Sequence, residues 1–254
     1  MKIVACYKCI KADPIGTNKD GTLDFSKSTL EIGKYDLAAV EAAMKVAAVA
    51  DAKVTALTAN GAVVSDTKMK KTILSRGPAE MVGVQDACLE DADSLTVAEV
   101  LKNAVEKMDD VGLVICGEGS GDMYARQVGS LMGAMLGWPT VNEVSAVEYL
   151  GDNTVKVERT LSDCTEVLTV ALPAVLSVTS DIYSPRIPSM KDIIGAGKKP
   201  STVWSLADVG YEYNAAASVV SVLAPEKAER KQIILEGASE ENLDALAEYI
   251  KKAL

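Results

Sequence analysis

The chain has 254 residues, 48% of them hydrophobic, which is enough to bury one large core or two small ones. Aromatics make up 4%, with a single Phe, so that core is aliphatic, a balance that suits helices packed on a parallel sheet. A net charge of −10 argues against a nucleic-acid-binding surface, and the absence of histidine excludes Ser-His-Asp and Cys-His catalysis and imidazole metal sites.

Residues 2–7 read as a short apolar strand, and 8–30 as a long excursion with turn signals at Asp13-Pro14 and Asp20-Gly21. Residues 35–49 predict a helix, with Leu37, Val40, Ala43, Met44 and Ala47 at helical spacing and Asp36 near its start. A strand over 53–59 stops at Asn60-Gly61. A basic helix over 65–74 follows, whose Lys68, Lys70 and Lys71 read as a solvated surface, and then a short strand at 81–85. Ser94 is the expected N-cap of a helix through Lys107. A buried strand at 112–116, a tight loop at 117–122 and a helix over 124–136 stopped by Gly137 come next. This alternation means a parallel sheet with helices on both faces.

After Pro139 the pattern changes. Residues 144–150 and 154–160 alternate around Gly151-Asp152-Asn153 as an antiparallel hairpin, and 165–170 continue the meander. A continuous apolar run at 171–178 is a strand buried on both faces. The organisation expected is an α/β nucleotide-binding domain over 1–200 and, over 201–254, an extended arm ending in an amphipathic helix capped by Ser239. An arm and helix without a core of their own must dock on the main domain or on another chain. No apolar run reaches the roughly 18 residues of a membrane span, and Met1-Lys2 leads straight into a strand, so neither a span nor a signal peptide is expected. Five scattered cysteines read as reduced thiols of a cytoplasmic protein.

Gly117, Gly119 and Gly121, in GEGSGDMYARQVG, lie between a strand and a helix. Glycines there let the backbone approach a ligand, and the helix N-terminus offers free N–H groups to a phosphate, with Ser120 adding a hydroxyl. The same pattern also serves as plain turn chemistry. Neither the dinucleotide fingerprint G-x-G-x-x-G after the first strand nor a P-loop occurs. A nucleotide would instead lie at the carboxyl ends of the strands, which requires small residues at Ala5, Cys6, Ala59 and Gly61. Cys6 and Cys9 have the spacing of a redox pair or half a metal site, but Cys6 ends a strand rather than opening a helix, so both read as small buried hydrophobes. Trp138 and Trp204 read as packing anchors.

The stretch from Leu172 to Pro200, LPAVLSVTSDIYSPRIPSMKDIIGAGKKP, takes a core strand into a loop stiffened by Pro185 and Pro188. A rigid, Met-tipped loop fed by a core strand is how a scaffold presents a contact surface. Together with CYKC at Cys6, YDLAAVEAA at Tyr35, LSRGP at Leu74, CGEGSGDMYARQVG at Cys116 and VERTL at Val157, it makes the chain resemble the electron-transfer flavoprotein β subunit, FixA type, over nearly its whole length.

The resemblance implies a Rossmann-like, mostly parallel sheet and a heterodimer with an α subunit that holds the electron-carrying FAD. This subunit would hold AMP or, in electron-bifurcating members, a second FAD. The implied nucleotide site is Cys6, then Gly33, Lys34, Tyr35 and Asp36, then Ala59, then the loop Gly117, Gly119, Ser120, Gly121, Asp122, Met123, Tyr124, Ala125, Arg126, Gln127 and Val128. Docking onto flavoprotein dehydrogenases, such as acyl-CoA dehydrogenase or a quinone oxidoreductase, would use Pro185, Arg186, Ile187, Pro188, Ser189, Met190 and Ile193, with Met190 as apolar anchor. The 201–254 arm and helix would dock on the partner subunit. The acidic surface is expected to steer docking toward a basic partner. The function implied is an electron-carrier subunit relaying electrons between dehydrogenases, with flavin-based bifurcation as a further option and no catalytic or metal residue of its own. The rivals are a nucleotide-binding enzyme that adenylates a substrate on the same fold, and a regulatory adenine-nucleotide-binding module.

Overall fold

The computed structural model describes residues 1–226 and 232–253; the part of the expected arm at 227–231 lies outside them. β1 (Lys2–Cys6) leads into a side excursion of four short strands, β2 (Cys9–Ala12), β3 (Gly16–Thr17), β4 (Leu23–Asp24) and β5 (Thr29–Ile32). Within it β2 pairs antiparallel with β5, and β3 with β4. Then α1 (Lys34–Ala50), β6 (Lys53–Asn60), α2 (Thr67–Leu74), β7 (Glu80–Gln85), α3 (Ser94–Lys107), β8 (Val111–Gly117) and α4 (Val128–Leu136) alternate. β9 (Thr140–Gly151), β10 (Thr154–Thr160) and β11 (Thr165–Ala171) form the meander. β12 (Ala174–Val178), α5 (Met190–Ala196), β13 (Ser201–Trp204) and α6 (Glu240–Ala253) follow.

One nine-stranded sheet runs in the order β11-β10-β9-β12-β8-β1-β6-β7-β13. Every pairing from β9 across to β13 is parallel, and only β9-β10-β11 are antiparallel. This is the Rossmann-like α/β architecture that the alternating pattern predicts. β1, β8 and β12 are buried on both faces, which is why they read as unbroken apolar runs. One face is covered by α1, α2 and α5, and the other by α3 and α4. α1 approaches closely because Ala38, Ala39, Ala42 and Ala43 are its fully buried contacts. On β10 Val155 and Val157 face inward, as period-two alternation requires, while on β9 Val144 and Val147 both do so because a bulge shifts the register between Val144 and Ala146. Trp138 and Trp204 pack partly buried against the α3–α4 side of the core.

Two local features differ from the sequence pattern. The cap of α3 is Asp93, whose Oδ1 accepts from the amides of Leu95 (2.8 Å) and Thr96 (3.0 Å), while Ser94 is the first helical residue. A carboxylate there also meets the positive end of the helix dipole, so it outcompetes the neighbouring hydroxyl. Residues 201–204 are not yet arm: they add β13 to the sheet beside β7, and Leu206 and Val209 beyond it are buried. Beyond Gly210 the described chain runs largely exposed, bridging back to the β3–β4 turn through Thr22 and Leu223. α6 has no buried residue, and no helix of the described chain is long and apolar enough to cross a membrane.

Candidate functional site

β1 lies between β6 and β8. The chain leaves it through β6 and β7, then returns to its other side as β8. Such a reversal opens a crevice outside the carboxyl ends of the strands. Cys6, Ala59 and Gly117 stand at or near those ends, and the first turn of α1 carries Gly33, Lys34, Tyr35 and Asp36 against them. Gly117 is required by that approach: a Cβ there would stand 2.8 Å from the Tyr35 Cβ and 2.9 Å from Asp36 Oδ1.

Asp36 is 7% exposed. Its Oδ2 accepts the Lys8 amide at 2.9 Å, while Oδ1 is turned toward Gly117. Burial pushes this carboxyl up to about 7, against the Lys8 amide and ammonium and with the Asp122 charge adding to the rise. The Lys8 ammonium crosses instead to Asp122 Oδ2 at 2.7 Å, tying the β1–β2 turn to the glycine loop. Burial resists ionisation at Asp122, but the bonds from Lys8 and Ser120 outweigh it and hold its carboxyl below the ordinary value. Asp122 therefore bridges two loops and caps no helix.

The helix expected from Tyr124 starts only at Val128. Tyr124 and Arg126 adopt left-handed backbone, φ 45° and 59°, which breaks α-helical propagation and costs of order 1 kcal/mol each. Side-chain contacts hold them there. The Tyr124 hydroxyl donates to Glu118 at 2.9 Å, and its ring lies 5.3 Å from that of Tyr35. Arg126 sits over the Tyr124 ring and pairs with Glu143, itself left-handed. Gly121, Asp122, Met123, Tyr124, Ala125, Arg126 and Gln127 are exposed along the crevice rim, and Lys34 is exposed with its ammonium over the Tyr35 ring.

α4 begins without a side-chain cap at Gln127. Its first turn borders a cleft of about 200 Å³ lined by Glu118, Arg126, Asn142, Glu143 and Ser177. Gly129 and Gly133, four residues apart, let α4 press against Ser177 of β12 and Thr140 of β9, where a Cβ would overlap either hydroxyl. Ser177, Asn142 and Glu143 are site residues that sequence reasoning missed; the signals were the one hydroxyl in the apolar run AVLSV and the Gly-x-x-x-Gly spacing of α4. A larger cavity of about 340 Å³, lined by Glu99, Lys102, Asn103, Met135 and Tyr211, lies between α3 and α4 and touches no strand end.

The cysteines are all free. The adjoining Cys116 thiol of the neighbouring strand, burial and the Asp36 charge together push the Cys6 thiol well up. Burial likewise pushes Cys9 up to about 12, so neither thiol of the C-x-x-C is poised as a nucleophile.

The segment expected to dock is pinned to the body. Arg186 donates from its amide (3.2 Å), Nε (2.7 Å) and Nη2 (3.0 Å) to the buried carboxylate of Glu41 on α1. Ser189 and Asp192 close a capping box on α5. The Lys199 ammonium donates to the carbonyls of Leu74, Gly77 and Pro78. On this frame Pro185 and Pro188 are half-buried, whereas Ile187 (94%), Met190 (72%) and Ile193 (44%) face solvent. A family model described as the electron transfer flavoprotein domain matches residues 21–209, a span that holds both the glycine loop and this pinned segment.

Proposed function

The chain belongs to the electron transfer flavoprotein family, and from that premise we propose that it is the β subunit of a heterodimeric carrier relaying electrons between flavoprotein dehydrogenases. The observation that carries this reading is the crevice at β1, β6 and β8, where Gly117, the first turn of α1 and the bridged 117–128 loop meet.

Its residues fit an adenine nucleotide, either AMP or the AMP half of an FAD. The backbone of the glycine loop and the uncapped first turn of α4 offer N–H donors to a phosphate. Asp36 keeps one carboxylate oxygen for a donor on the nucleoside. Tyr35 and Tyr124 present a pair of rings, tilted 39° to one another, at the rim. A flavin supplies the electron exchange; the chain supplies position and exclusion of water, which needs neither histidine nor general base. With a second FAD here the complex would bifurcate electrons, and with AMP it would be a simple carrier.

Two unpartnered apolar surfaces support the subunit reading. α6 leaves Leu243, Leu246, Tyr249 and Ile250 about half exposed, and the arm leaves Val220 and Ile234 almost bare, as expected of a segment that docks on the α subunit. The pinned 185–196 segment offers Ile187 and Met190 to a dehydrogenase.

The test is to co-purify the chain with its flavin-bearing partner, release the nucleotides by denaturation and separate them against FAD and AMP standards. Two FAD per heterodimer make bifurcation the working mechanism, and one FAD with one AMP makes the chain a docking and structural subunit. Absence of any flavin-bearing partner refutes the reading and favours a stand-alone nucleotide-binding module.

A further inference from the structure

β12 carries one hydroxyl in its apolar run, and the protein gives that hydroxyl nothing to bond. Ser177 is 5% exposed, and it lines the cleft of about 200 Å³ where β8 and β12 end. The polar side chains around it are engaged elsewhere. Thr140 donates to the Trp138 carbonyl at 2.9 Å, Asn142 to the Ser130 hydroxyl at 2.8 Å, and Thr179 to the Val144 carbonyl at 3.4 Å. Among the described residues Ser177 Oγ has no hydrogen-bond partner, and a buried hydroxyl left so calls for a physical reason.

The backbone on both sides keeps the cleft open in front of it. β12 pairs with β9 at Leu176–Val141 and again at Val178–Val144, so Asn142 and Glu143 together stand opposite Ser177 as a bulge, with Glu143 in left-handed backbone. From the other side α4 presses its first turn onto Ser177, where a Cβ on Gly129 would overlap the hydroxyl. The amides of Val128, Gly129 and Ser130 open that helix without an intrahelical acceptor, and Gln127 supplies no side-chain cap. The acceptors of the cleft are already occupied, since Glu118 takes the Tyr124 hydroxyl at 2.9 Å and Glu143 takes Arg126. What is left over is donors, the Ser177 hydroxyl and the first amides of α4, at the positive end of a helix dipole. Unsatisfied donors in that position select an anion and reject a cation.

We propose that Ser177 is a specificity-determining residue of the nucleotide crevice: its hydroxyl donates to a phosphate oxygen of the adenine nucleotide and so makes the site tell the nucleotide from its nucleoside. The residue comes from β12, outside β1, β6, the first turn of α1 and the 117–128 loop that form the rest of the crevice. This role rests on the reading of the crevice as a nucleotide site, and the experiment separates the two. The full chain in complex with its flavin-bearing partner is stripped of the nucleotide held at this site and titrated calorimetrically with AMP, FAD and adenosine. Wild type is compared with Ser177→Ala and with Ser177→Cys, which nearly keeps the shape of serine but donates weakly. Wild type should bind AMP or FAD far more tightly than adenosine. Both variants should lose roughly tenfold or more in affinity for that nucleotide, the usual loss for a hydrogen bond to a charged group, and keep the wild-type affinity for adenosine. In the nucleotide-free complex Ser177→Ala should unfold at or above the wild-type thermal midpoint, because it removes a hydroxyl that bonds nothing there. A lower midpoint with unchanged nucleotide affinity would make Ser177 a packing residue and overturn the inference. Equal losses for nucleotide and adenosine, or no loss for either, would also overturn it while leaving the crevice a nucleotide site. If wild type binds none of the three ligands, the nucleotide reading falls and the role of Ser177 with it.

Discussion

Replacing Asp36 by Asn tests the electrostatics at the floor of the crevice. The Asp36 carboxyl is almost wholly buried, accepts one amide at 2.9 Å, and faces an ammonium already committed to Asp122. Burial raises it from 3.8 to about 7, so the folded chain holds this proton more tightly than the unfolded chain does. The stabilisation from that proton is full below pH 3.8, declines as pH rises and is gone above about pH 7, where a bare carboxylate stays buried. At about 1.36 kcal/mol per pH unit the difference amounts to about 4 kcal/mol, an upper figure because a crevice admits water around the charge. Asp36→Asn keeps a carbonyl for the Lys8 amide and removes the titration. Urea unfolding of both proteins at pH 4 and pH 8.5 should therefore place the variant within about 1 kcal/mol of wild type at the lower pH, and about 2–4 kcal/mol above it at the higher. A variant that is equally destabilised at both pH values would refute the reasoning and make Asp36 a hydrogen-bonding residue whose charge is well tolerated.

Arg186→Met keeps the aliphatic stem but leaves the buried Glu41 with one amide donor. It should cost about 2–3 kcal/mol in thermal or urea unfolding at pH 7, less than a fully buried pair because Arg186 is 39% exposed. Burial opposes ionisation of Glu41, but Arg186 outweighs it and holds the carboxyl below 4.5, so the cost should shrink as pH falls through that range. Gly133→Ala should destabilise in the same assays despite the roughly 1 kcal/mol that Ala gains in a helix, because its Cβ would overlap the Thr140 hydroxyl; adding Thr140→Ala should recover part of the loss. Titration of the native protein with a thiol reagent at pH 8, followed by peptide mass spectrometry, should label Cys164 first and Cys88 more slowly. Cys6, Cys9 and Cys116 should react only on unfolding, and early labelling of Cys6 or Cys9 would restore the redox reading of the C-x-x-C.

The sheet was legible because its signals are local. A strand buried on both faces must be apolar throughout, as in AVLSV, and a strand with one wet face must alternate, as in TVKVERT, so type and order follow from windows of a few residues. The same holds for α5, where Ser189 and Asp192 write a capping box three residues apart. The site is a different kind of object. Lys8 reaches Asp122 across 114 residues of sequence, and Arg186 reaches Glu41 across 145. No spacing rule connects such pairs, so Lys8 escaped notice as a bridge, and Arg186 was read as a contact residue when its guanidinium is the fastener of the loop. Tyr124 shows the limit most clearly. Alone, Tyr124 to Leu136 has helical periodicity, and only the partners Glu118 earlier in the loop, Tyr35 on α1 and Glu143 on β9 make the left-handed turn at Tyr124 and Arg126 the lower-energy choice. Local chemistry decides which elements exist, whereas the contacts that give a site its electrostatics are products of the fold.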